Sequence, residues 1–108
     1  MNSLNSLIIE GNALEDVEIR EELGLKQATF KISVKRYFKN ALGENDEEES
    51  IFDVQCFGTL ADFAKKVCKG RGVRIVGRLK QLRWGDNNEY SKVVVIAEHI
   101  EFKAMPQA

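Results

Sequence analysis

Between Thr59 and Gly70 lies the one helical periodicity in a chain whose other apolar residues fall in period-two alternation or short continuous β-rich runs. Leu60, Phe63, Ala64 and Val67 recur at i, i+3, i+4 and i+7, with Thr59 placed as an N-cap and Gly70 just past the last turn. The pattern predicts a helix of about three turns. A lone helix at this position is a severe constraint, because mixed folds of the ferredoxin-like kind need two.

The remainder reads as strands. Leu7, Ile8 and Ile9, with Val17 and Ile19 beyond Gly11, predict a long or bent first strand. Ala28 to Phe38 alternates cleanly, with Phe30, Ile32 and Val34 on one face and Thr29, Lys31, Ser33 and Lys35 on the other. Asn40 to Ser50 holds Gly43 and five acids and is expected to be an exposed loop. Ile51 to Phe57 forms the third strand, with Phe52, Val54 and Cys56 facing the core. Val73, Ile75 and Leu79 mark the inner face of the fourth, and Gly77 is expected to relieve a bend or a close approach. A turn over Gly85 to Glu89 leads into the fifth, Tyr90 to Ala97. At 108 residues there is room for one domain. The order β-β-β-α-β-β predicts an all-β domain over 1–108: a five-stranded OB-fold Greek-key barrel with one short α-helix between the third and fourth strands. The barrel is expected over about 5–102, with a C-terminal remnant at 103–108. Phe30, Phe52 and Phe63 are assigned to its core.

Composition narrows function by exclusion. Cys56 and Cys68 are too few for a disulfide framework and are not spaced as a metal pair, so both are expected to be reduced. The single histidine, His99, leaves no Ser/His/Asp, Cys/His or zinc constellation, and no phosphate-cradling glycine loop ends in Gly-Lys-Ser/Thr. No enzyme, metal or cofactor is therefore expected. No apolar run approaches the ~20 residues of a bilayer span.

The charges are sorted along the chain. Lys26 to Lys39 carries five basic residues and Lys65 to Arg83 eight, neither with an acid, and together they hold 13 of the 16 positive charges. Glu15 to Glu22 and Glu44 to Glu49 hold ten of the 17 negative ones. The net charge of -1 therefore does not exclude a basic face. Large rings sit close to these blocks: Tyr37 and Phe38 beside Arg36, Phe57 on the non-core side of its strand, and Trp84 after Lys80 and Arg83. Rings interleaved with cations suit single-stranded nucleic acid, whose bases stack while phosphates are tracked by Lys and Arg. Packing of Phe57 on the helix, or of Trp84 on an oligomer contact or loop, are the alternatives. Phe38 shares the register of Phe30, Ile32 and Val34, which makes Tyr37 the alternative stacker.

The segments NSLIIEGN, ATFKISVKRYF, IFDVQCFGTLADFAKK and KGRGVRIVGRLKQLRW, followed by VVVIAEHIEF, resemble the bacterial single-stranded DNA-binding protein family from about Asn5 to Phe102. The resemblance implies sequence-independent binding of single-stranded DNA in replication, recombination and repair. It also implies a homotetramer (or a dimer), joined through the first strand around Leu7 to Gly11 and part of the outer sheet face, and a cytoplasmic, nucleoid-associated location. It assigns base stacking to Phe38, Phe57 and Trp84. Ile51 stands where a fourth ring is usual, and Asp53 adds a negative charge on the binding-face parity. Phosphate contacts are expected from Lys31, Lys35, Arg36, Arg71, Arg74, Arg78, Lys80 and Arg83. Family members typically continue into an acidic-tipped tail that recruits replication and repair proteins, whereas this sequence stops at KAMPQA, as a core fragment or a short member. A primosome-type accessory OB protein and an RNA- or oligosaccharide-binding OB domain are the rival readings.

Overall fold

The computed structural model describes residues 1–104, so the expected C-terminal remnant lies outside the described residues from 105 onward. In chain order the elements are β1 (Leu7–Ala13), β2 (Glu18–Glu22), β3 (Leu25–Lys39), β4 (Asn45–Phe57), α1 (Thr59–Phe63) with a 3-10 turn over Ala64–Lys66, β5 (Gly72–Trp84) and β6 (Tyr90–Phe102). The strands hydrogen-bond in the order β1-β5-β6-β4-β3-β2, and β1 returns to β3 at Asn12↔Ser33 and Ala13↔Ile32. That contact closes β1, β3, β4, β6 and β5 into a five-stranded barrel. Every pairing is antiparallel except β4 with β6, which run parallel at Val54↔Val95 and Gln55↔Ile96. The expected OB-fold barrel is thus present, with its helix between the third and fourth barrel strands.

The first strand is broken rather than bent. After Ala13 the chain leaves the barrel and resumes as β2, which folds back on β3 through Leu23 and Gly24, both at positive φ (51° and 80°). Two successive left-handed residues match the twist of a tight hairpin. Core parity is obeyed along the barrel: Phe30, Ile32, Val54, Cys56, Val73, Ile75, Val95, Ala97 and Ile100 are buried, capped by Ala61, Ala64 and Val67.

Several local expectations are corrected. The acidic stretch is not a loop: only Asn40 to Glu44 turns, held by the Asn40 Oδ1 atom accepting from the Leu42 and Glu44 amides at 2.9 and 3.0 Å. Asn45 to Ser50 extends β4 and pairs with Val34 to Lys39. Strand alternation divides the acids between two faces, Glu47 and Glu49 on one, Asp46 and Glu48 on the other, opposite Lys35 and Arg36, so mutual repulsion does not forbid a ribbon. The helix has five residues rather than about three turns, because Val67 adopts extended backbone (φ -72°, ψ 119°). Its N-cap is Gly58, with no side-chain cap bond, and not Thr59. Phe52, Phe63 and Leu79 are not core residues but are 37%, 38% and 46% exposed. Leu79 lies where β5 runs out of the barrel, its backbone gripped by the Asn5 side chain, which donates to the carbonyl at 2.7 Å and accepts from the amide at 2.9 Å.

Candidate nucleic-acid interface

Two ribbons leave the barrel at one end. Because β4 and β6 are parallel where they meet, the chain on the N-terminal side of Val54 and that on the N-terminal side of Val95 project in the same direction. The first projection is the outer part of β4 with its partner β3, up to Asn40; the second is the start of β6 with the end of β5, joined by the turn over Gly85 to Glu89. A continuous outer face runs between them. On β5 it carries Arg78, Lys80, Leu82 and Trp84, on β6 Tyr90, Lys92, Val94 and Ile96, on β4 Ile51, Asp53, Gln55 and Phe57, and on β3 Thr29, Lys31, Lys35 and Tyr37. Val94 and Ile96 are buried on this outer side and form its apolar floor.

Three of the four candidate rings have outward parity, with Tyr37 lining a cleft beside Glu10, Asn12, Lys35 and Lys103 on the β1 side. Trp84 is 49% exposed and lies nearly parallel to Tyr90, with ring centroids 5.9 Å apart and 22° between planes. Phe57 is 37% and Tyr37 71% exposed. Phe38 follows core parity onto the opposite side of its ribbon, half-buried under the Arg36 guanidinium, 4.9 Å from the ring centroid. Neither side of a ribbon beyond the barrel is covered by a core, so Phe38 remains at the surface. Ile51 sits on the shared face, 53% exposed, opposite Ser33.

The eight expected phosphate contacts are scattered more widely. Arg78 and Lys80 flank the apolar floor and have no carboxylate partner among the described residues. Lys31 lies 3.3 Å from Asp53, and Lys35 lies 3.8 Å from Glu47. Arg36 and Arg83 point to the opposite sides of their ribbons, Arg83 donating to Gln81 Oε1 at 3.0 Å. Arg71 sits at the far end of β5 from Trp84, over the Phe102 ring at 4.8 Å. Arg74 is engaged by Glu10, accepting from its Nε at 2.7 Å, and by Glu101 at 3.6 Å. Hydrogen bonds from Arg74 and Lys103 hold the Glu10 carboxyl below its ordinary value. The positive blocks of the sequence are therefore partly neutralised in space, and the cations left unopposed on the shared face are Arg78 and Lys80.

Sequence reasoning missed Tyr90 and Lys92. Registering the turn would have found both, since a loop over Gly85 to Glu89 sets Trp84 opposite Tyr90 and Leu82 opposite Lys92. Lys92 reaches across the barrel seam to Asp53 at 3.1 Å. Partial burial acts to raise the Asp53 carboxyl, but the Lys92 and Lys31 ammonium groups outweigh it and hold the group below the ordinary carboxylate range. Among the described residues no group of three or more His, Cys, Asp or Glu is placed to hold a metal, and no helix is long and apolar enough to cross a membrane.

A closed five-stranded barrel with two ribbons framing a face of rings, cations and an apolar floor is an OB-fold binding module. A family model described as the single-strand binding protein family matches residues 4–103, and the chain belongs to that family. It is 35% identical over 107 residues to a single-stranded DNA-binding protein of Aquifex aeolicus, covering 96% of this chain and 73% of that protein. The identity is again 35% over 101 residues to one of Helicobacter hepaticus, where the match takes in 90% of this chain and 59% of the relative. The fold matches a Plasmodium falciparum SSB solved in complex with ssDNA (TM-score 0.85, 20% identity, 96% of this chain and 98% of that one). It also matches a deletion mutant of the Thermus aquaticus protein (TM-score 0.84, 24% identity, 94% and 51%).

Proposed function

We propose that the chain binds single-stranded DNA without sequence preference, laying the strand between the two ribbons. One observation carries the reading: half-exposed Trp84 and Phe57 share an outer face with Arg78 and Lys80, which have no ion-pair partner among the described residues. Rings stack on unpaired bases, and free cations neutralise the backbone. The recognition is of generic chemistry, a base face and a phosphate, and so needs no base-edge readout. Trp84, Phe57 and Tyr37 are assigned to stacking, with Phe38 joining them where the strand wraps the ribbon edge. Lys31, Lys35, Arg78 and Lys80 are assigned to phosphates. Arg36, Arg71, Arg74 and Arg83 belong to a second tier, reached only if the strand continues around the domain.

Function in replication, recombination and repair, on the nucleoid, follows from this reading, as does binding without catalysis. Assembly into a homotetramer is part of it. β1 pairs with β5 from Leu7 to Asn12 and meets β3 only from Gly11, packed on the Ser33 backbone, to Ala13, which leaves one backbone edge of Leu7 to Glu10 open beside the 68% exposed Ile8. A second copy closes such an edge. Sedimentation equilibrium tests it: a concentration-independent monomer rejects it.

The binding experiment is a titration of intrinsic fluorescence, to which Trp84 contributes the one indole in the chain. Oligo-dT is expected to quench it strongly and duplex DNA weakly, with affinity falling as salt rises. Absence of quenching and of any oligo-dT complex rejects the reading, and preference for oligo-rU over oligo-dT replaces it with an RNA-binding one.

A further inference from the structure

We propose that Asp53 is a resident stand-in for phosphate: its carboxylate occupies a backbone position in the DNA path, holds Lys31 and Lys92 in place, and is displaced when DNA binds. The proposal rests on the single-strand reading above and specifies how the site sets its own affinity.

Asp53 lies on β4 next to the parallel seam with β6, at the base of the gap between the two ribbons. Its neighbours on either side are basic and come from different strands. Lys31 approaches Oδ1 from β3 at 3.3 Å, and Lys92 approaches Oδ2 from β6 at 3.1 Å. One anion with two oxygens thus bridges two cations across three strands, which is the arrangement that the two non-bridging oxygens of a phosphodiester would satisfy. Towards β5 and β6 the other outer-face residues at this level are neutral or basic: Gln55, Thr29, Val94, Ile96, Arg78 and Lys80; on the far side of Thr29 the same cleft is lined by Glu15 and by Glu18 of β2, the latter paired with Arg20 at 2.9 Å. The carboxylate side chain is 30% exposed and the two ammonium side chains 51% and 47%, so water and ions reach the cluster and its contribution to folding is small. Its effect on a polyanion is larger. A fixed negative charge in the path repels phosphate and competes for two lysines that would neutralise phosphates and release the counterions condensed on the DNA. Lys92 thereby becomes a phosphate contact in its own right, concealed in the free protein by its partner.

The test is Asp53→Asn, Lys92→Gln and their combination, read by anisotropy of labelled oligo-dT over a range of salt. Asp53→Asn is expected to bind about three- to tenfold more tightly at low salt, because Lys31 and Lys92 no longer have to leave a carboxylate; the same phosphates are neutralised, so the slope of log K against log[salt] is expected to stay within about 0.7 of the wild-type value. Lys92→Gln is expected to weaken binding, and to do so more strongly in the Asp53→Asn background, where the lysine is free. Unchanged or weaker binding by folded Asp53→Asn overturns the proposal. If Asp53→Asn does not fold, Lys92→Gln alone decides, since an unaltered salt slope there overturns it equally. Wild-type protein that fails to bind oligo-dT rejects the functional reading itself, whereas wild-type binding with indifferent variants rejects only the role of Asp53.

Discussion

Substituting Gly77 by Ala probes the joint between the barrel and the ribbon that carries Trp84. At this joint the β5–β6 register slips: Val76 pairs with His99 but Gly77 with Ala97, leaving Glu98 as the extra residue of a bulge. A Cβ on Gly77 would lie 2.0 Å from the Ile96 carbonyl oxygen, 3.0 Å from its carbon and 3.2 Å from the Ala97 Cα. The atoms to be moved are backbone, and Ile96 is paired on one side with Arg78 and on the other with Gln55, so it has little freedom to retreat. Overpacking of this kind costs about 3 kcal/mol or more, the upper end for added methyl groups. At about 4–8 °C per kcal/mol for a domain of this size, Tm should fall by about 12 °C or more. Gly24→Ala is the control: its Cβ meets nothing within 4 Å, and only the positive φ of 80° is penalised, by about 1 kcal/mol. Circular dichroism melts of the two variants decide the matter. Gly77→Ala melting within ~4 °C of wild type, or above Gly24→Ala, would refute the claim that the close approach is rigid.

Other outcomes follow from the same geometry. Arg78→Gln should reduce the magnitude of the salt slope for oligo-dT by about 0.7, while Arg74→Gln, already neutralised by Glu10 and Glu101, should leave it nearly unchanged; equal effects would contradict the division between free and paired cations. Ile51→Trp adds a ring to an exposed outer position and should tighten binding by up to about 1–3 kcal/mol, measured by anisotropy; a large loss would place Ile51 in an oligomer contact instead. Burial pushes the Cys56 thiol up to about 11, so it stays protonated at pH 8, whereas Cys68 is exposed. Ellman's reagent at that pH should therefore label one thiol per folded chain and two after unfolding, and rapid labelling of both in native protein would contradict the buried placement of Cys56.

Much of the barrel is legible in residue order because it depends on short-range rules. Alternation over Ala28 to Val34 and Val54 to Cys56 marks the inward faces, and Gly77 announces a close contact where a side chain cannot fit. The errors share one cause. Leu79 and Phe63 satisfy inward parity but lie where the barrel or helix has ended, so parity places them on a side without supplying a core to fill. The acids from Asp46 to Glu49 look repulsive as a run and become tolerable once each faces a cation or a ring across the ladder.

By itself, then, the sequence determined the chain order of the barrel strands, the position of the single helix, most of the barrel interior and the rings and cations available for binding, since each follows from periodicity and residue chemistry. Which of those groups act together was decided only by the tertiary structure. Parallel pairing of β4 with β6 sends both ribbons out of the same end, brings Lys92 to Asp53, and leaves Arg78 and Lys80 without an opposing carboxylate while Arg74 finds two. Charge acts through distance in space, and contacts between strands far apart in the chain set that distance.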